Sequence, residues 1–135
     1  MRKDRQQAIA TGIRRTFEQS SQLQRSSRLA EKHAACGTVY RLSVQLPASE
    51  QWGLISQVRR AAVSIPSNIA EGYGRRATGE YHHHLSIGRG SLLELETQVL
   101  LCRSVGYLEG SSAEVLLREI EQISKMLGSL IAKLR

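Results

Sequence analysis

Aspartate occurs once in the 135-residue chain, at Asp4, while proline and cysteine occur twice each. With its lone aspartate near the N-terminus, the chain assembles no recognisable Ser-His-Asp arrangement. Cys36 and Cys102 stand far apart, form no CxxC pair and have no plausible histidine ligand nearby. They are expected to be buried thiols in a reducing compartment, not a disulfide or a zinc site. Aromatic residues make up only 4%, too few for base stacking to dominate contact with nucleic acid. No apolar run approaches the length of a membrane span, and the first residues lack the apolar stretch of a secretory signal. These absences lead to the expectation of a cytoplasmic chain with no catalytic residues, no cofactor, no metal and no membrane partner.

What is present suits a single domain: 41% hydrophobic and 23% charged residues, enough apolar side chains to offset chain entropy. The net charge of +7 calls for an anionic partner, and its distribution matters more than its size. Residues 1–33 hold eight basic residues against Asp4, Glu18 and Glu31, which accounts for five of the seven net charges. Residues 1–28 are therefore expected as a basic arm, flexible or loosely helical, and residues 29–135 as the folded bundle. The arm's Arg- and Ser-rich, acid-poor composition also resembles an organelle transit peptide, but its amphipathic pattern is short.

Hydrophobic spacing carries the strongest structural signal. Tyr81, Leu85, Gly88, Leu92, Leu95, Val99 and Cys102 follow a 4,3 rhythm that only a helix keeps on one face, as do Leu116, Ile120, Ile123, Leu127, Leu130 and Leu134. The spacing predicts helices from about Gly79 to Val105 and from about Ser112 to Lys133. Gly106 and Gly110 bracket the turn, and Ser111 with Glu114 reads as a capping box. Upstream, Leu54, Val58, Ala61, Ile65 and Asn68 predict a helix with an N-cap at Ser49 that kinks near Ser64 and Ile65, because of Pro66, and stops at Gly72. A weaker helix is expected from Leu29 to Leu46, ahead of Pro47. The sequence thus reads as all-α, an antiparallel up-and-down four-helix bundle with a kinked second helix. Leu93, Leu100, Leu117 and Ile131 form a second apolar stripe on the last two helices, a surplus that predicts burial against further copies of the chain.

Five arginines are the candidate nucleic-acid contacts. Arg59 and Arg60 are adjacent on the second helix among small residues, Arg75 and Arg76 follow Gly72 and Gly74 in a link that precedes a helix N-terminus, and Arg89 lies on the third helix. Arginines at such a link can hold phosphate through charge-assisted hydrogen bonds and the helix dipole, although a solvated loop fits the same residues equally well. Asn68 falls on the core track and needs a backbone partner or Glu71, which gives both residues a structural reading. Glu80 and His83 form one Glu-x-x-His step with no second copy, and the consecutive His82, His83 and His84 point about 100° apart, so no di-metal site is expected. Gly88 and Gly90, costly within a helix, are expected at a tight helix crossing.

The strings QVRRAAVSIPSNIAEGYGRR, GEYHHHLSIGRGSLLELETQ, VGYL and KMLGSLIAKL, spread between Tyr40 and Leu134, resemble the four helix bundle protein family, also called 23S rRNA-intervening-sequence proteins. The resemblance implies a left-handed antiparallel bundle that closes into a barrel-like homopentamer with a basic surface. Some members are encoded within insertions in ribosomal RNA genes, and distant relatives among retroelement accessory proteins bind nucleic acid and a reverse transcriptase. It implies no catalytic reaction. The chain departs from the family at Leu29, where a Trp-containing opening is usual, and at His84, where an aromatic residue is usual. The expected function is a non-catalytic oligomer that binds RNA or DNA phosphates through arginines. The alternative is a protein-interaction adaptor whose arginines are structural.

Overall fold

The computed structural model describes Asp4, Gln7, residues 35–75 and residues 77–134. Four helices account for nearly all of the two long stretches: α1 (Ala35–Ser43), α2 (Leu54–Gly74), α3 (Thr78–Ser104) and α4 (Gly110–Lys133). No strand occurs among the described residues. Each helix packs on the next, and α1 also packs on α4, so the four close into an up-and-down bundle. The expected basic arm, residues 1–28, and the first turns of the expected first helix lie outside the described residues, Asp4 and Gln7 excepted.

The core is built from the residues whose spacing singled them out. Leu85, Leu92, Leu95, Val99 and Cys102 of α3 meet Leu116, Ile120, Ile123 and Leu127 of α4, all at most 2% exposed. A fully buried leucine or isoleucine contributes about 1.5–3 kcal/mol relative to an exposed one, so these two stripes supply much of the driving force. Packing is tight. The cavity among Val39, Val58, Val99, Cys102 and Leu116 holds about 10 Å³, room for a water at most. Burial raises the thiol pKa of Cys36, and burial followed by the charge of Glu50 raises that of Cys102, so both are poor nucleophiles in the folded chain.

Two core tracks shift by one residue late in their helices. In α2 it is Ile69 that is buried, whereas Asn68 sits half-buried at the seam with α3. In α4 it is Ile131, assigned from sequence to the outer stripe, that is 5% exposed, and Leu130 is only partly covered. A strict heptad drifts against a helix of 3.6 residues per turn, so after several turns the next residue faces inward. α2 continues through Pro66 for two further turns.

The helix ends differ from the sequence expectations. α2 starts at Leu54, not near Ser49, because Glu50 ends a short 3-10 turn (Ala48–Glu50) and its Oε2 accepts the Leu54 amide at 3.0 Å. A Cβ at Gly53 would meet that carboxylate, so the glycine leaves it room to cap without shifting. α3 ends in a Schellman motif: Tyr107 N–H donates to Cys102 O (2.8 Å) and Gly106 N–H to Arg103 O (3.1 Å), with Gly106 at φ +81°. α4 begins at Gly110, which puts Ser111 inside its first turn, and no capping box forms there. Glu114 instead pairs with Arg118 at 3.6 Å.

The α2–α3 seam is the closest approach in the bundle, and the glycine that permits it is Gly72. A Cβ there would lie 2.6 Å from His84 Cβ and 3.0 Å from Tyr81 Cδ2. Gly88 faces Asn68 and Ile65 at ordinary contact distance, while Gly90, expected at a crossing, points into open space. Gly72→Ala should therefore destabilise the bundle by about 1–3 kcal/mol through overpacking. Gly90→Ala should stabilise it by up to about 1 kcal/mol. Urea unfolding followed by circular dichroism measures both.

Candidate nucleic-acid interface

The bundle distributes the four described candidate arginines, Arg59, Arg60, Arg75 and Arg89, over different surfaces. Arg59 and Arg60 lie on the outer side of α2 next to α1. Arg59 is half-buried: its Nε donates to Ser43 Oγ at 2.9 Å and its guanidinium carbon stands 4.9 Å from the centre of the Tyr40 ring. A cation over an aromatic face gains about 0.5–1 kcal/mol at such partly exposed sites. Arg60 is exposed and has no ion pair among the described residues. Together with Tyr40, Trp52, Ile55 and Val63 they line an open groove of about 540 Å³ between α1 and the start of α2. Ser56 and Ser64 also line it, the Ser64 hydroxyl being bonded to Ser91.

Arg75 behaves differently. Its Nη2 meets Glu71 Oε1 at 3.2 Å and its Nη1 lies 3.9 Å from Glu80 Oε1, so the link between α2 and α3 neutralises its own cation. Glu80 occupies the first turn of α3, where a bound phosphate would have to sit, and its charge disfavours one. Arg76 lies outside the described residues. Arg89 is exposed on α3, but the fold does not bring it beside Arg59. The Ser64–Ser91 hydrogen bond (2.8 Å) sets the antiparallel register, in which Arg59 is level with Glu96, seven residues from Arg89. That separation is about 10 Å along the helix axis.

Asn68 and Glu71 both face His84 across the seam. Asn68 Nδ2 donates to Ser64 O (2.8 Å) and Ser64 Oγ (3.0 Å), which turns its Oδ1 toward His84 Nδ1 at 3.2 Å. A carbonyl accepts only, so the hydrogen-bond network assigns the proton to Nδ1 of His84. His84 Nε2 lies 3.9 Å from Glu71 Oε1. The expected backbone partner of Asn68 is the Ser64 carbonyl, and its Oδ1 faces His84, not Glu71, because Ile69 takes the inward position and leaves Asn68 facing α3. Among the described residues no group of three metal-ligating side chains forms, and no helix is long and apolar enough to cross a membrane.

Sequence reasoning missed Trp52 and Tyr40. Trp52 is 87% exposed and Tyr40 is 45% exposed, although both are large enough to be core residues elsewhere. The available signal was that Trp52 lies off every apolar track, between Gln51 and Gly53 at a helix start.

The class defined by this architecture is an all-α, up-and-down four-helix bundle that presents arginines and aromatic rings on its outer surface. Residues 29–129 match the profile of the 23S rRNA-intervening sequence protein. The chain belongs to that family. A search of curated proteins finds no match.

Asn68→Ala would strand His84 Nδ1–H at a half-buried seam, and should cost about 1–3 kcal/mol in urea unfolding. Glu71→Gln, at an exposed ion pair, should cost under about 1 kcal/mol in the same measurement.

Proposed function

We propose that the chain is a non-catalytic, cytoplasmic, oligomeric protein that binds RNA or DNA phosphates through the groove between α1 and α2. The observation that carries this reading is the pairing of Arg59 and Arg60 with the open faces of that groove. Arg60 is a cation without an ion pair among the described residues, and Arg59 is held in place by Ser43 and Tyr40. A preorganised guanidinium loses less side-chain entropy on meeting a phosphate than a free one does. Arg89 supplies a separate positive point on α3, and Arg75 contributes least because two carboxylates already surround it. The pI of about 10.0 draws polyanions to the whole molecule. His84, the best-placed acid–base group, is engaged in joining α2 to α3.

Self-association uses a different surface in this reading. Leu93 is 55% exposed and Leu100, seven residues on, is also exposed on the same flank of α3. Such a flank loses unfavourable contact with water when a further copy covers it. The family resemblance makes a homopentamer the expected assembly. The adaptor alternative, with a protein such as a reverse transcriptase as partner, draws on Arg75, whose ion pairs suit a structural role. Recovery of one protein partner after nuclease treatment would favour it.

Filter binding to a structured RNA at a series of salt concentrations tests the phosphate reading. Affinity should fall steeply with salt, and Arg60→Glu should weaken it and lower the salt slope by about one. Affinity that ignores salt, or that survives charge reversal at both Arg59 and Arg60, excludes this mode. In sedimentation the wild type should run as an oligomer at micromolar concentration and Leu93→Glu with Leu100→Glu should lower its mass. A wild type that runs only as monomer contradicts the assembly.

A further inference from the structure

Trp52 is the chain's only tryptophan and, among the described residues, the most exposed large hydrophobic side chain. Leaving an indole in water forfeits a large apolar burial, so its setting requires a reason. The setting is also built. Glu50 accepts the Gly53 amide through its backbone carbonyl (3.0 Å) and caps Leu54 through its side chain (3.0 Å), so the backbone on both sides of Trp52 is held. Gly53 lacks the Cβ that would collide with that carboxylate. The indole is therefore carried on a fixed turn at the mouth of the groove, with its surface open. Tyr40, the other ring of the groove, already has a guanidinium over it. Among the described residues, Trp52 is the ring of this groove left open, and Arg60 is its cation without an ion pair.

An open ring next to an unpaired guanidinium, with serine hydroxyls on the groove, matches the parts of an unpaired nucleotide: a flat base, a phosphate and a sugar. Bases within a duplex are stacked on one another and present only edges, so a ring of this kind can engage only a base that is already free. From the exposed Trp52 and the unpaired Arg60 in one groove, we infer that the protein selects unpaired nucleotides, with a base stacked on Trp52 and its neighbouring phosphate on Arg60. This rests on the nucleic-acid reading given above and narrows it to single-stranded segments, loops or ends. It also revises the expectation from composition that stacking is minor: the aromatic content of the chain is low, but one ring stands where it counts.

Because there is a single tryptophan, intrinsic fluorescence of the full chain reports this site alone. An unstructured oligouridylate should quench the emission as it binds, and a perfectly paired RNA duplex of the same length should bind more weakly and quench little. Trp52→Ala should weaken oligouridylate binding by about tenfold, the loss of one stacked base, and leave duplex binding nearly unchanged. Trp52→Phe should recover part of the affinity. Circular dichroism of both variants should match the wild type, since the side chain is 87% exposed. Equal binding of both RNAs with unchanged emission, or full affinity in Trp52→Ala, overturns the stacking inference while phosphate binding stands. No binding of either RNA at low salt overturns the phosphate reading as well. Blue-shifted emission without RNA, together with a lower sedimentation mass for Trp52→Ala, would show that a second copy covers the indole and would also overturn it.

Discussion

The near-contact of α2 with α3 sets the terms for the rest of the bundle. Two helices can run this close only where side chains are small, and the seam is lined by Ser64, Gly72, Gly88 and Ser91. Van der Waals attraction between backbones is short-ranged, so a missing Cβ at Gly72 changes the distance at which the pair settles. That distance then places His84 within hydrogen-bond reach of Asn68, and this bond, with that of Ser64 to Ser91, holds the two helices in register. It also leaves the opposite flank of α2 free to meet α1. Arg59 reaches Ser43 and Tyr40 there, and the groove opens as a result.

Helices α3 and α4 were legible in the sequence because leucine and isoleucine recur on one face with little else competing. Their limits were right to within about two residues, but the caps were not. The cap of α2 comes from Glu50, four residues before the helix, through a side chain that passes close to Gly53. A pattern search for Ser or Thr next to the first turn selects Ser49 instead. The slips at Asn68 and Ile131 have a common origin in the mismatch between 3.5 and 3.6 residues per turn, which accumulates along a helix and is invisible over one or two turns.

The site was less legible. The arginines were visible as residues, but grouping them requires knowing which helix lies beside which flank. The fold keeps Arg59 and Arg60 together, since they are neighbours in sequence, and puts Arg89 on another helix and Arg75 inside ion pairs. Trp52 and Tyr40 are a further step removed, because neither belongs to an apolar track and only the packing of α1 on α2 makes them neighbours of the same groove. Composition counts residues without regard to place, and a single exposed ring weighs little in it.

Glu50 joins two loops that are distant in sequence. Its Oε2 starts α2, and its Oε1 accepts a long hydrogen bond from the Tyr107 hydroxyl (3.5 Å), just beyond the end of α3. The connections that enter α2 and leave α3 are therefore tied at one pole through a single acidic side chain. The entry to α2 and the exit from α3 thus share one carboxylate at this pole, while the opposite pole is joined through the Asn68–His84 bond.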